Sequence, residues 1–411
     1  MTLKAGRRRI LAGGATAVLA TKLPLPAIAQ AKPVRIGLLT VKTGPLAQGG
    51  IQMEQGISLF LKHRDNKLAG RPAELLVADT GGNPAGAKTK AQELIERDHV
   101  DFIVGPLAAF ELLAISDYTA QHRCPIMSLA AAEDITQRKP NPYFVRSSGT
   151  SAQSMHPLAD YARKELNYAT VMTVANDFAF GYEETGGFQR AFEDAGGHVK
   201  AKLWPPLVTP DYTPFIAQMG GVDAVVSGLG GSNPIKFMRQ YKDQGVTLPL
   251  MGGSVAMDDG LLKSFGDEAI GVISCSQYSA DLDTISNQRF VADSVREFGA
   301  IPGSYAAGLY TNGQVAEAAL ERTGGRTDDQ EALIQAMRAV ALTDTPRGPF
   351  HFDHFGNVVG DFFIRRCDKK DGRLVNTTIK TYKAVSQFWT YDENWFLSQP
   401  VYSRDYPPLK T

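Results

Sequence analysis

The chain has 411 residues, and its 43 Lys and Arg residues balance its 43 Asp and Glu residues, so its formal net charge is zero. This balance excludes a basic field that would attract nucleic acid or an anionic membrane. The length exceeds that of a typical single domain, which predicts two lobes. The cysteines Cys124, Cys275 and Cys367 lie far apart in sequence. We expect buried free thiols, although a disulfide between two of them stays open.

The first 29 residues have the pattern of an export signal. Three arginines, Arg7 to Arg9, precede the weakly apolar Ala12–Ala20, and the segment ends in the small-residue pattern Ala27-Ile28-Ala29. Paired arginines before a mild apolar stretch favour a twin-arginine signal, with an ordinary Sec signal as the alternative. The stretch is shorter than the ~20 residues that span a bilayer. We therefore expect cleavage near Ala29 and a periplasmic protein without direct membrane insertion.

Short β-branched runs alternate with helical patterns from Val34 onward, which is typical of a mainly parallel sheet flanked by helices. The first half is predicted to contain strand Val34–Thr40, helix Gln48–His63, strand Ala73–Ala78, helix Ala85–Arg97, strand Asp101–Val104, helix Leu107–Gln121 and strands Pro125–Ser128 and Tyr143–Arg146. The second half repeats the alternation from helix Ser151–Leu166 and strand Ala169–Val174 to Ile270–Cys275. Two α/β halves joined near Arg146–Thr150 are the simplest division.

The last third of the chain changes character. Helices are predicted at Asn287–Phe298, Tyr305–Arg322 and Asp329–Val340, followed by a hairpin of Gly348–Phe352 and Val359–Arg366. The aromatic and proline-rich segment from Phe388 to Tyr406 is predicted to pack as an irregular tail.

Catalytic motifs are poorly supported. The glycine-rich turn after Asp223–Ser227 has Asn233 where a dinucleotide fingerprint needs its third glycine. Ser254 lacks the second flanking glycine of a nucleophile elbow. His351-Phe352-Asp353-His354 is expected on an exposed hairpin rather than around a metal. We therefore predict no enzyme activity, no cofactor and no metal site.

The loops at the carboxyl ends of the strands predict a ligand cleft, because open α/β sheets bind ligands there. Helix starts in these loops present free amides, which favour an anionic group. The candidate residues are Thr43 after the first strand, Ala108, Ala109 and Phe110 at one helix start, Ala130, Ala131 and Ala132 at another, and Phe178 and Phe180 in the second half.

Short blocks in this order resemble the periplasmic leucine/isoleucine/valine-binding protein family, the receptors of branched-chain amino acid ABC importers. The blocks are Thr43-Gly44-Pro45-Leu46-Ala47, Val104-Gly105-Pro106, Phe180-Gly181-Tyr182, Met238-Arg239-Gln240 with Gly245, Ala318 to Gly324, and Gly348 to Asp353. The resemblance implies an α/β, two-lobed type I periplasmic-binding-protein fold with three inter-lobe crossings. Residues 30–147 with 281–353 would form lobe 1, residues 148–280 with 354–385 lobe 2, and residues 386–411 the tail.

Departures from the family pattern sharpen the ligand prediction. The resemblance places Ser254 where relatives that take leucine-like amino acids have an acidic side chain against the ligand ammonium. It also places Gly230 or Gly231 at an aromatic position, Ala132 at a threonine, and Gly49 and Ala307 at bulky pocket residues. An ammonium buried without a charged partner would cost several kcal/mol. We therefore expect a ligand without a free amine, longer or wider than leucine, whose ring stacks on Phe110, Phe178, Phe180 or Tyr305.

The sequence thus predicts a binding protein that closes on a small aromatic or apolar carboxylate and docks on an inner-membrane ABC permease. Three alternatives stay open: an amino acid as ligand, an exported enzyme loaded with a cofactor, and a ligand sensor that acts through a separate protein.

Overall fold

The computed structural model describes residues 32–209 and 211–410, so the predicted export signal lies outside the described residues. The chain from Pro33 onward forms one compact unit. Its first half builds a sheet of six strands, β1 (Val34–Thr40), β2 (Lys67–Leu68), β3 (Arg71–Asp79), β4 (Phe102–Val104), β5 (Ile126–Ser128) and β6 (Phe144–Arg146). The strand order is β2-β3-β1-β4-β5-β6, and only the β2–β3 pair is antiparallel.

A second sheet holds the nine remaining strands of the described chain. They are β7 (Thr170–Ala175), β8 (His198–Leu203), β9 (Ala224–Gly228), β10 (Leu250–Gly252), β11 (Ile273–Ser276), β12 (Ala341–Leu342), β13 (Phe350–Phe352), β14 (Val358–Lys370) and β15 (Arg373–Val385). Strands β7 to β11 are parallel, whereas β12 to β15 extend the sheet in antiparallel pairs. The β15 strand pairs with β14 and lies outside the continuous strand order of the sheet.

Helices flank both sheets. They are α1 (Ala47–His63), α2 (Pro84–Gln92, continued by a π-helical turn), α3 (Ala109–Gln121), α4 (Ser151–Lys164), α5 (Ala179–Asp194), α6 (Thr213–Ile216), α7 (Asn233–Asp243), α8 (Ile285–Phe298), α9 (Ser304–Arg322), α10 (Gln330–Arg338) and α11 (Glu393–Ser398). The α1 and α9 helices bury the first sheet together with α10 in one apolar core, and α4 and α5 cover the second sheet. The predicted two-lobed α/β fold is therefore confirmed.

The chain crosses between the two lobes after β6, after β11 and before β12, which agrees with three crossings. At the third crossing β13 pairs with β14 of the second sheet, while Phe350 and Phe352 bury their rings in the core of the first. The segment 341–353 thus belongs to both lobes, whereas the predicted division gave it to lobe 1 alone.

Two elements near the C-terminus differ from the sequence predictions. The hairpin partner β14 runs to Lys370, and the 13-residue strand β15 was not predicted at all. A two-residue turn, Asp371-Gly372, joins them with positive φ at both positions, and Asp-Gly is a strong hairpin signal that the sequence offered. Many residues of β15 are polar and only partly buried, so its alternation of apolar side chains is weak.

The tail is not wholly irregular, because it contains the short helix α11. Phe396 of this helix and Tyr402 are buried, and they form an apolar cluster with Phe388 and with Ala152 of α4. The guanidinium of Arg190 on α5 lies 5.4 Å from the Phe396 ring and 5.0 Å from the Tyr402 ring. The tail therefore packs on lobe 2 through aromatic rings that contact the Arg190 guanidinium.

Phe396→Ala should lower the free energy of unfolding by about 3–5 kcal/mol, because the substitution empties a fully buried ring site. Urea unfolding measures the loss. The control is Trp395→Ala on the same helix, whose side chain is 43% exposed and whose removal should cost less. Equal losses for the two variants would contradict the described packing of the tail.

Candidate ligand-binding site

A cavity lies between the lobes at the carboxyl ends of their parallel strands. The space between its lining residues amounts to about 660 Å³, part of which is open solvent. The lining residues come from loops of both lobes and from the crossings: Leu46, Leu107, Ala108, Ala109, Leu129, Ala131, Ser148, Gly149, Thr150, Ser151, Phe178, Phe180, Gly230, Gly231, Ser254, Val255, Gln277, Ser304 and Tyr305.

Most of the residues proposed from the sequence come together in this cavity. Those that line it are Ala108, Ala109, Ala131, Phe178, Phe180, Gly230, Ser254 and Tyr305. The parallel strands bring these loops together, because α3 follows β4, the Ala131 loop follows β5, and Ser254 follows β10.

The other four candidates do not line the cavity. Thr43 is exposed on the loop after β1. The Phe110 ring packs edge-on against Phe178, with centroids 5.5 Å apart, so it supports a wall ring from behind. The Ala130 N–H donates to the Ser128 hydroxyl at 2.9 Å, and the Ala132 N–H donates to a carboxyl of the protein itself.

That carboxyl belongs to Glu183 on α5 and joins the two lobes. Its Oε1 accepts from the N–H groups of Ala132 and Glu133, at 3.1 and 3.0 Å. Burial raises the pKa of Glu183, and the neighbouring Glu133 carboxyl raises it further. Glu183 therefore already accepts from the Ala132 N–H, one of the amides that the sequence analysis counted as open to a ligand.

Two amides at the start of α3 have no such partner. Glu111 caps this helix by accepting from the Ala108 N–H at 3.0 Å. Ala109 and Phe110 are the next two residues, and their N–H groups have no acceptor within the described residues. The first N–H groups of a helix cannot bond inside it, and the helix dipole makes the position favourable for an anion. Ala109 lines the cavity, so its N–H is a candidate donor to a ligand there.

Ala131 presents a further open amide on the neighbouring loop. The buried Arg146 fixes this loop by donating to the carbonyls of Ala130 and Ala132, at 3.0 and 2.7 Å. The Ala131 N–H between them has no acceptor among the described residues. The lobe 1 wall thus offers backbone donors from two adjacent loops, held in place by a buried guanidinium and a capping carboxyl.

None of the described residues that line the cavity carries a charged side chain. One acidic group of lobe 2, Glu184, lies behind the lining residue Ser254. Its Oε1 accepts from the Ser254 N–H at 3.1 Å and from the Ser254 hydroxyl at 2.9 Å. The side chain is fully buried, and burial raises the pKa of Glu184 to about 8. A protonated carboxyl at neutral pH gives an ammonium no countercharge.

The small residues do not leave the extra space that the sequence suggested. A Cβ on Gly49 would lie 2.8 Å from Leu107 and 3.1 Å from Tyr305, and a Cβ on Gly230 would lie 3.2 Å from Phe180. Ala307 packs in a separate buried cluster with Leu59, Tyr278 and Phe290. Aromatic rings therefore occupy the volume that these glycines release, and the wall becomes more aromatic rather than wider.

The sequence reasoning missed the lining residues at the crossings. Ser148 to Ser151 lie on the first crossing, and Gln277 and Ser304 flank the second. The pattern Thr150-x-x-Gln153 forms a capping box at the start of α4, which is a sequence signal for a helix start at that crossing. The apolar lining residues Leu46, Leu107, Leu129 and Val255 carried no signal that separates them from core residues.

In residues 32–209 and 211–410, no group of three or more His, Cys, Asp or Glu side chains is placed to hold a metal ion. All three cysteines are free and buried. In the same ranges, no helix combines the length and the apolar character that crossing a membrane requires.

Comparison with known proteins identifies the family to which this two-lobed fold belongs. The family model for periplasmic binding proteins matches residues 33–373. The chain therefore belongs to the periplasmic binding protein family, as its motifs predicted. A curated relative, the Leu/Ile/Val-binding protein homolog 6 of Brucella melitensis, is 27% identical over 366 residues, which cover 86% of this chain and 93% of the relative.

Two solved structures resemble it over almost their whole length. A solute-binding protein of an ABC transporter from Rhodopseudomonas palustris BisB5, in complex with 3,4-dihydroxybenzoic acid, is 33% identical with a TM-score of 0.83 and covers 86% of this chain and 98% of that one. A second R. palustris solute-binding protein, in complex with 4-hydroxybenzoate, is 28% identical with a TM-score of 0.82 and covers 87% and 99%.

Glu184→Gln should change how stability depends on pH. The folded-state pKa of Glu184 is raised from 4.5 to about 8, so the folded protein holds a proton that the unfolded chain releases in this window. Its contribution to stability is complete below pH 4.5 and is lost as pH rises through 8. The wild-type free energy of unfolding, measured in urea, should therefore fall more steeply between pH 5 and 8 than that of the variant. Parallel curves across this window would contradict the burial of an acid there.

Proposed function

We propose that this protein is the periplasmic substrate-binding component of an ABC importer and that it captures a small aromatic carboxylic acid without a free amine. The observation that carries the proposal is the pairing of open backbone donors at Ala109 and Ala131 with an uncharged, ring-lined cavity. Such donors suit a carboxylate. The aromatic acids in the two R. palustris complexes support the same class of ligand.

The rings of the lobe 2 wall supply the apolar part of the site. Phe178 and Phe180 stack with centroids 5.9 Å apart and an interplanar angle of 29°, and both line the cavity. Tyr305 lines the cavity from lobe 1, and its ring lies 3.1 Å from the position that a Cβ on Gly49 would take. A ligand ring against such side chains gains ~0.5–1.5 kcal/mol per pair beyond its buried area. A dissociation constant near ~1 µM needs about 8 kcal/mol, which a buried ring and a bonded carboxylate could supply together.

Ligand binding would favour the closed form because the ligand touches both lobes. Its carboxylate would bond to lobe 1 and its ring would pack on Phe178 and Phe180 of lobe 2. A ligand shifts such an equilibrium only by its difference in affinity for the two forms. The lobes also meet directly, since the Ser232 N–H donates to the Pro45 carbonyl at 3.0 Å. The closed form would then dock on the inner-membrane permease.

An amino acid is the rival ligand, and the names of the curated relatives suggest it for those proteins. An ammonium would need the Glu184 carboxyl ionised and reachable, yet Ser254 stands between this carboxyl and the cavity. Titration calorimetry on protein that has been unfolded and refolded, to remove any co-purified ligand, separates the two. We expect micromolar binding of benzoate-type acids, no binding of the isosteric benzamide, and no binding of leucine. Tight leucine binding would overturn the proposal.

Transport, as opposed to sensing, is tested in cells. Deletion of the gene should abolish high-affinity uptake of the bound acid, and restoring the gene should recover it. Normal uptake by the deletion strain would contradict the importer role.

Ala109→Pro should weaken the binding of benzoate-type acids by tenfold or more, on the order of 1.4 kcal/mol, because it removes one open N–H donor. Proline is tolerated at the first position of a helix, and the extended backbone of Ala108 (φ −99°, ψ 149°) suits the residue before it. Calorimetry and thermal unfolding check both points. The matched control is Ile285→Pro, which makes the same change at the first residue of α8, where Ile285 is 86% exposed and far from the cavity. Equal affinity in both variants would contradict the assignment of the carboxylate.

A further inference from the structure

We propose that the site selects aromatic acids with a ring hydroxyl distant from the carboxylate, and that Ser254, oriented by Glu184, accepts the hydrogen bond from that hydroxyl. The inference rests on the proposed function and names the ligand more narrowly. It follows from the hydrogen-bond donors and acceptors that each wall of the cavity leaves without a partner in the protein.

Both hydrogen-bond donors of Ser254 already have an acceptor in the protein. Its N–H and its hydroxyl donate to the same oxygen, Glu184 Oε1, at 3.1 and 2.9 Å. That oxygen accepts whether or not the carboxyl is protonated, because a proton can reside on Oε2. The Ser254 hydroxyl therefore offers the cavity lone pairs and no donor. A ligand group that meets it gains a hydrogen bond only by donating one.

The surrounding backbone leaves space for this carboxyl and little else. A Cβ on Gly253 would lie 2.1 Å from Glu184 Oε2, and a Cβ on Gly228 would lie 3.2 Å from the same atom. Glu184 is fully buried, and its Oε2 has no hydrogen-bond partner among residues 32–209 and 211–410. A buried acid with one unpaired oxygen is costly for stability, so its two hydrogen bonds from Ser254 are best explained by a task at the cavity wall.

The two ends of the ligand are assigned to different lobes. Ala109 and Ala131 on lobe 1 offer N–H donors, which suit the carboxylate, whereas Ser254 on lobe 2 offers an acceptor, which suits a hydroxyl. A hydroxyl beside the carboxylate, as in salicylate, would be held at the lobe 1 end and could not reach Ser254. A methoxy group has the size and the oxygen of a hydroxyl substituent but no proton to donate.

Calorimetry with benzoate, 4-hydroxybenzoate, 3-hydroxybenzoate, 4-methoxybenzoate and salicylate tests this assignment on the wild-type protein. We expect at least one of the 3- and 4-hydroxy acids to bind about tenfold or more tightly than benzoate, and neither 4-methoxybenzoate nor salicylate to gain over benzoate. Benzoate binding without a preference for the hydroxy acids would overturn this inference alone. A methoxy acid that matches the hydroxy acid would also overturn it. Failure of every acid to bind would overturn the proposed function with it.

Variants then locate the acceptor. Ser254→Ala should lower the affinity for the preferred hydroxy acid about tenfold, to near that of benzoate. The matched control is Ser304→Ala, because the Ser304 hydroxyl also lines the cavity and donates to a carboxyl, Asp258 Oδ2, at 2.7 Å, but lies on lobe 1 and is only 3% exposed. Loss of the preference in Ser304→Ala instead of Ser254→Ala would overturn the assignment.

Glu184 acts through Ser254, so it is a positioning residue and needs a readout of its own. Glu184→Met frees the Ser254 hydroxyl to donate, which should raise the affinity for 4-methoxybenzoate relative to 4-hydroxybenzoate. Glu184→Gln keeps an accepting oxygen and should retain the wild-type order of affinities. The same order of affinities in Glu184→Met as in the wild type, with folding confirmed by thermal unfolding, would overturn the role of Glu184.

Discussion

The requirement that buried N–H groups find an acceptor governs this cleft. Along the lobe 1 loops the protein satisfies some of these donors itself: Glu111 takes the Ala108 N–H, and Glu183 takes those of Ala132 and Glu133. It leaves the N–H groups of Ala109 and Ala131 open at the cavity. The contrast between occupied and open donors along two adjacent loops defines where an anionic group from outside the chain can bind.

Glu183 also ties the binding wall to the motion of the lobes. Its carboxyl reaches from α5 of lobe 2 to the loop after β5 of lobe 1, and the Phe110–Phe178 ring pair crosses the same boundary. The open donors of Ala109 and Ala131 therefore lie next to contacts that join the two lobes. In the proposed mechanism, closure and completion of the binding wall would be one event, so that a small ligand with few polar atoms could shift a large conformational equilibrium.

Sequence reasoning could find the alternation of strands and helices, the loops at strand ends and the family, because these depend on local pattern. The loops at strand ends indicated Ala109 and Ala131, and the resemblance to the family indicated Ser254; all three line the cavity. It could not find Glu183 and Glu184, which lie within the α5 helix and whose roles depend on partners some 50 to 70 residues away. It also interpreted Gly49 and Gly230 as positions that widen the pocket. In the fold, Tyr305 and Phe180 occupy the space beside these two glycines.

A crystal structure of the protein grown with 4-hydroxybenzoate tests the central claim most directly. The account predicts the ligand carboxylate within about 3 Å of the Ala109 and Ala131 nitrogens and the ring beside Phe178 and Phe180. A carboxylate that faces the Ser254 wall, or a protein side chain that occupies the Ala109 and Ala131 donors in the complex, would contradict it.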